Sequence, residues 1–447
     1  MQITRHYLTI KSAFGAKRRV HYRRCGSGPP LLMVHQSPRS SAEYEALMRQ
    51  WGEHFTCIAP DTPGFGQSDP LDHPKPEMAE YAEALAEFLR AMNIAPCAAY
   101  GFHSGGIICV TAIKRQPDLF TALAVGGYAI WTQAEMELFG TSYLPPFRPS
   151  SYGEHLTWLW NRILEQSWFF PWFDVRDETR LPMAHADPDK VQAIVMEMLD
   201  SGEHYQAGYG AVLRAPRDIP AVDAGAPPCL ITAFDGDPLQ AHIDRLGTMP
   251  ANWSAQKVVT PEDHQAASLA FLQDHPGHSP EVFAEDQTAG WLALDGGSIH
   301  WSGTKGAERL ILHAPGAELA EPGAGEIAID APGHGLSSDY EDIAGAISRA
   351  AKALGVKQIV WPDVPAGDPD RLYPDTIPDR FGAHLIKAWS AARAQAIFAP
   401  WYAADKGHTV SVDPSAITPE AIANRARARL RAGVSARRYH DVLANRV

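Results

Sequence analysis

The sequence predicts an α/β protein, a mostly parallel sheet with helices on both faces, followed by a second, smaller α/β unit. Three observations carry this. Short apolar runs that end in turn residues alternate with segments of helical spacing. The run Cys97-Ala98-Ala99-Tyr100 stops at Gly101 and passes through a glycine-bounded turn into a helical stretch, Ile107 to Arg115. From about Gly297 the motifs of the first stretch return in weakened form.

Composition narrows the class. At about 150 residues per unit, 447 residues suggest about three structural units. Hydrophobic residues at 45% and charged residues at 20% fit a folded enzyme and not a disordered or fibrous chain. A formal net charge of −13 opposes any broad grip on phosphate backbones or anionic lipid, so neither nucleic acid nor a membrane surface is an expected partner. Met1 to Arg24 holds no apolar stretch of signal-peptide length, and no run is long enough to span a bilayer. The five scattered cysteines form no C-x-x-C pair, and the four that sit in apolar runs read as buried thiols of a reducing, cytoplasmic setting, with no zinc or redox motif.

Taken in order, Leu31-Leu32-Met33-Val34 and Cys57-Ile58-Ala59 are strands, with a helix from Ala42 to Trp51 between them and a second from about Pro76 to Met92. Gly26-Ser27-Gly28 reads as a hairpin turn. The stretch Gly101-Phe102-His103-Ser104-Gly105-Gly106 joins a strand to a helix through an elbow that holds one strained residue exposed. Positions two before and two after that residue must be small, because a side chain there would strike neighbouring backbone. Centred on His103 the flanks are Gly101 and Gly105; centred on Ser104 they are Phe102 and Gly106, and the phenyl ring does not fit. The elbow residue is therefore expected to be His103.

These residues resemble the α/β-hydrolase superfamily, over about residues 1 to 277. His35-Gln36-Ser37-Pro38 resembles its H-G-x-P oxyanion loop, with Gln36 in place of glycine. Asp61-Thr62-Pro63-Gly64-Phe65-Gly66-Gln67-Ser68-Asp69 resembles the D-x-P-G-x-G-x-S-D turn of epoxide-hydrolase-like members, and Phe234-Asp235-Gly236-Asp237-Pro238 the turn that presents the acid. The resemblance implies a core over 1–130 and 222–277 with a helical cap over 131–221. It implies Asp237 as the acid, with Asp235 competing, His264 as the loop histidine or a helix-opening surface residue, and the backbone N–H groups of Gln36 and Ser104 as the oxyanion hole. Members usually carry Ser, Asp or Cys at the elbow. His103 in that place points to a general base acting on water or on a substrate C–H or O–H, or to direct attack giving an acyl-imidazole.

The expectation is a cofactor-free enzyme hydrolysing a small apolar or aromatic substrate, or cleaving it as a lyase does. The alternative is a non-catalytic ligand binder on a vestigial fold. A metal site would need His103, His264 and Asp237 to converge, and no local ligand spacing supports one. The insertion from Trp131 to Tyr209 holds a third of the chain's aromatic residues, including Trp131, Trp160 and Trp172. With His35 and Arg39 these three are the expected substrate contacts, although most of the rings must form the cap's own core.

After a linker over 278–296, residues 297–447 repeat the core and cap in part. Asp330-Ala331-Pro332-Gly333-His334-Gly335-Leu336-Ser337 echoes Asp61 to Ser68. Gly153, His155, Trp160, Phe169 and Trp172 match Gly382, His384, Trp389, Phe398 and Trp401, each pair separated by 229 positions. No elbow follows Gln358-Ile359-Val360-Trp361 and no acid strand follows later. This part is expected to be non-catalytic and to cover its open sheet edge against the first half or a second copy of the chain. His155 and His384 read as packing or helix-start residues and not as catalysts.

Overall fold

A computed structural model describes residues 1–11, 17–280 and 282–446. The chain divides into two compact units, one fewer than its length suggests: 1–147, 162–185 and 193–285 in the first, 148–161, 186–192 and 286–447 in the second. Helices of the aromatic insertion are shared between the two, so the insertion is not a separate unit.

The first unit is built on eight strands: β1 (Thr4–Lys11), β2 (Lys17–Cys25), β3 (Pro30–Val34), β4 (Thr56–Pro60), β5 (Cys97–Phe102), β6 (Phe120–Gly126), β7 (Cys229–Phe234) and β8 (Trp253–Val258). Their order is β1-β2-β4-β3-β5-β6-β7-β8. β2 pairs antiparallel with β1 and β4, and every pairing from β4 through β8 is parallel. Gly26-Ser27-Gly28 therefore does not close a hairpin: the strand it leads into lies beyond β4, and the turn is a crossover.

The helices are α1 (Glu45–Trp51), α2 (Met78–Met92), α3 (Ser104–Arg115), α4 (Gln133–Ser142), α5 (Glu154–Trp168), α6 (Pro188–Ser201), α7 (Tyr205–Leu213) and α8 (Pro261–Gln273). The central strands read as unbroken apolar runs because both faces are covered. Leu32, Val34, Ile58 and Ala99 join a cluster with α2 and α3, whereas their neighbours Leu31, Met33, Cys57 and Ala98 join another with α1 and Leu272 of α8. All five cysteines are free and buried. Among the described residues no helix is long and apolar enough to cross a membrane.

In the second unit the strands are β9 (Ala289–Leu294), β10 (Gly297–Gly303), β11 (Arg309–Leu312), β12 (Glu326–Ile329) and β13 (Gln358–Val360), in the order β9-β10-β12-β11-β13. That is the order and sense of β1-β2-β4-β3-β5. β9 lies inside the segment expected to be linker, so the second sheet starts at Ala289 and not Gly297. Around the sheet stand α9 (Ile343–Leu354), α10 (Pro369–Leu372), α11 (Ala383–Gln395), α12 (Pro419–Ala432) and α13 (Ser435–Ala444).

The likeness of the sheets extends to single hydrogen bonds. His21 Nδ1 meets Asp61 at 2.7 Å and His300 Nδ1 meets Asp330 at 2.8 Å. The N–H of Gln67 donates to Asp61 and that of Leu336 to Asp330, at 2.8 and 2.9 Å.

Within the second unit the matched motifs pack reciprocally. The His155 ring meets Trp389 edge-on at 4.9 Å, and His384 meets Trp160 at 5.0 Å. A β-carbon on Gly153 would lie 2.9 Å from Trp389 Cγ, and one on Gly382 would lie 2.6 Å from Trp160 Cγ. Each glycine is the floor on which the other motif's indole rests. Gly382→Ala is expected to cost about 2–4 kcal/mol, from a strained positive φ and a displaced indole. Gly355→Ala has the same positive φ and open space around it, and should cost about 1–2 kcal/mol. Denaturant unfolding of the two variants isolates the packing.

Candidate active site

The elbow is set by close packing. His103 has φ 47° and ψ −113°, and its N–H donates to Gly126 O at 2.8 Å. A β-carbon on Gly101 would meet Gly106 N at 2.6 Å, and one on Gly105 would meet Val34 O at 1.9 Å. Only a strained, glycine-flanked turn fits between β5, β3 and α3. The result is a His103 side chain about one-fifth exposed and stacked on Phe102 at 4.2 Å.

His103 meets the acid directly. Its Nε2 lies 3.1 and 3.2 Å from the two carboxylate oxygens of Asp237, whose side chain is fully buried and also accepts the Leu239 N–H at 2.8 Å. Burial alone would raise the Asp237 carboxyl, but His103 and the Leu239 N–H hold it below its usual range. With Nε2–H given to the carboxylate, Nδ1 keeps its lone pair, and no partner for it stands among the described residues. Asp235 is exposed and accepts from Gln240. The pair needs a residue that the sequence reading passed over: a β-carbon on Gly127 would lie 2.5 Å from His103 Cδ2 and 2.7 Å from Asp237 Oδ2. The Gly126-Gly127 doublet ending β6 was the available signal.

His264 is not part of this pair. It sits on α8, buried, with Nε2 2.8 Å from the Tyr100 hydroxyl and Nδ1 on Thr232 Oγ1. Both ring nitrogens are used, so neither the expected triad nor a His103–His264–Asp237 metal site forms. Among the described residues no group of three or more His, Cys, Asp or Glu could hold a metal. Burial pushes His264 down to about 4, and His242 and His155 likewise. Such a histidine binds a proton when unfolded (near 6.5) but not when folded, so the unfolded state gains protons between about pH 6.5 and 4 and stability falls as pH drops through that window. Glu43, pushed up by burial to about 7, opposes this. Burial also lowers His21, His35, His313, His334, His384 and His440 and raises Glu165 and Glu197, and with the histidines outnumbering the carboxyls the denaturant midpoint should fall steadily from pH 6.5 to 4.5; a flat profile would contradict the buried, neutral rings.

The expected oxyanion loop is engaged internally. The Gln36 N–H donates to Glu43 Oε1 at 2.7 Å and the Gln36 amide to Oε2 at 3.0 Å. The Ser37 N–H donates to Ser104 Oγ at 2.6 Å. Ser104 opens α3, and its hydroxyl ties the loop to the elbow. Of the two expected donors, the Gln36 N–H is thus taken by a carboxylate, and only the Ser104 N–H stands at the helix start beside His103. Glu43 is seven residues along the chain, and nothing in its sequence setting marked it.

The expected substrate contacts also have other partners. Nε2 of His35 accepts the Thr62 N–H at 2.8 Å and its Nδ1 lies 2.9 Å from Gln36 O, pinning the loop. Arg39 forms a two-pronged pair with Glu197, Nε at 2.7 Å and Nη2 at 3.2 Å. Trp160 is buried in the second unit and donates to Arg380 O at 3.1 Å. Trp131 and Trp172 are half-buried in the first unit, donating to Val212 O and Tyr143 O. Trp131 also packs edge-on against His242.

A family model described as the alpha/beta hydrolase fold matches residues 29–131, from β3 through the elbow to the end of β6. Haloalkane dehalogenase 2 of Mycobacterium bovis is 26% identical over 137 residues, 31% of this chain and 48% of its own. The 2-(acetamidomethylene)succinate hydrolase of Mesorhizobium japonicum is 29% identical over 134 residues, 29% of this chain and 46% of its own. The chain spans about half the length of the curated relatives it matches. Among solved structures, a hydrolase from Pseudomonas aeruginosa PA01 is 18% identical with a TM-score of 0.47, covering 60% of this chain and 98% of its own. Strand order, glycine-flanked elbow and matched segment agree: the first unit has the alpha/beta hydrolase fold.

Proposed function

We propose that the protein is a cofactor-free, hydrolase-like enzyme in which His103 is the general base and Asp237 its orienting partner. The direct His103–Asp237 contact carries this reading. An elbow serine would need a separate histidine; an elbow histidine already held by the acid does not, which agrees with His264 lying elsewhere. Asp237 fixes the Nε2–H tautomer and stabilises the imidazolium formed when Nδ1 takes a proton from water or from substrate. Direct attack by Nδ1 is the covalent variant of the same geometry. That the similar proteins are named as hydrolases supports the enzyme class.

With the Gln36 N–H taken by Glu43, the Ser104 N–H alone stabilises developing negative charge, which favours base chemistry with little oxyanion build-up over ordinary acyl transfer. The same occupied donor favours, as second reading, a ligand binder without turnover. Half-buried aromatic residues of the insertion suit a small apolar or aromatic substrate. The second unit, with no elbow after β13, is read as a structural partial copy, and the five buried thiols support a cytoplasmic setting. Turnover of an ester, epoxide and haloalkane panel by wild type and His103→Ala tests the assignment: product lost with the imidazole supports it, and product formed equally by both removes it.

A further inference from the structure

Arg162, on α5 in the first unit, is 1% exposed, and no carboxylate among the described residues pairs with it. Its Nη1 donates to Gln166 Oε1 at 2.7 Å and reaches Met198 Sδ at 3.8 Å, while Nε and Nη2 have no acceptor among the described residues. Its guanidinium lies 5.3 Å over the Trp172 ring, and the Trp172 Nε1–H donates to Tyr143 O. A buried guanidinium without a counter-charge is costly, and deletion of such a residue's partner is among the most destabilising changes known.

The two unsatisfied nitrogens form one edge of the guanidinium, the edge that binds a carboxylate side-on with two parallel hydrogen bonds. Arg39 uses that same edge, Nε and Nη2, on Glu197 in this molecule. The second unit shows the satisfied counterpart. Position 391, 229 residues on from Arg162, is alanine. There Gln395, the match of Gln166, accepts from Arg429, whose other terminal nitrogen donates to Leu372 O, so only Nε is left over. The unit without an elbow satisfies both terminal nitrogens of its arginine; the unit with one leaves the carboxylate-binding edge of Arg162 unsatisfied beside the Trp172 ring.

We propose that Arg162 anchors the carboxylate of an aromatic or apolar acid, held against Trp172. This rests on the reading of the aromatic insertion as the substrate-covering part of the enzyme, and it names the substrate class. The test is calorimetric binding of phenylacetate and its neutral isostere phenylacetamide to the full-length protein, with no turnover required. Wild type should bind the acid at least about 10-fold more tightly than the amide, and Arg162→Met should abolish that preference while Arg162→Lys keeps part of it. Equal affinity for the two, binding of neither, or a preference that survives in Arg162→Met would overturn the anchor. If Arg162→Met does not fold, the wild-type comparison and Arg162→Lys still decide. Failure here leaves the His103–Asp237 pair standing, and activity retained in His103→Ala leaves the anchor standing.

Discussion

His103→Ala is expected to lower kcat/KM by about 10²–10⁴-fold on any substrate the wild type turns over, with the loss mainly in kcat. The imidazole lies at the elbow, is one-fifth exposed and reaches across the chain through its contact with Asp237, so the stability loss should be small beside the loss of turnover. Asp237→Asn keeps the side-chain volume and its place beside Gly127, yet it removes the charge that holds Nε2–H and stabilises the imidazolium. A loss of similar size is expected. The variants also separate base from nucleophile: a covalent adduct on wild type seen by intact mass after rapid quench, and absent in His103→Ala, identifies attack by Nδ1. A purely structural role for the pair would instead lower the unfolding midpoint of both variants and leave kcat near wild type.

The second large effect concerns the fold. Asp61→Ala should destabilise the first unit by about 3–5 kcal/mol, because it leaves a buried network without its acceptor. Asp61 is 1% exposed and accepts from the backbone N–H and hydroxyl of Ser41, the N–H of Gln67 and the ring of His21. It ties β2, the segment after β3 and the turn after β4 together at the end of the sheet where the elbow stands. Burial would raise its carboxyl, but His21 and Arg23 hold it well below the ordinary range. A depressed carboxyl contributes stability present above its unfolded value, near 4, and lost as pH falls below that. Asp330 makes fewer such contacts in the second unit, so Asp330→Ala should cost less. Chemical unfolding read by tryptophan fluorescence compares the two.

The legible parts of this molecule were those dictated by local sterics. Gly101 and Gly105 flank the one residue whose backbone the elbow strains, so His103 could be placed from spacing alone. A glycine-bearing turn after an apolar strand placed Asp237. Gly66, whose β-carbon would lie 2.0 Å from Asp61, and Gly335, at 2.1 Å from Asp330, are the local signature of the repeated turn. What could not be read was who meets whom across the chain. His264 follows a strand as a catalytic histidine would, but Tyr100 and Thr232, 164 and 32 residues away, claim its nitrogens. Arg39 looked free for substrate until Glu197 was brought to it, and Gln36 looked like an oxyanion donor until the chain turned Glu43 back onto it. Trp160 was one aromatic ring among many, and only its fit on Gly382 made it a packing residue.

The proposed chemistry turns on one tautomer: His103 with its proton on Nε2, toward Asp237, and its lone pair on Nδ1. Nitrogen-15 NMR of histidine-labelled protein at pH 8, assigned with His103→Ala, reads this without knowledge of the substrate. The expected spectrum shows a protonated, hydrogen-bonded Nε2 and an unprotonated Nδ1, with the distinction weakened in Asp237→Asn. A proton on Nδ1 in wild type, or a spectrum unchanged by Asp237→Asn, would contradict the pairing on which the proposed chemistry stands.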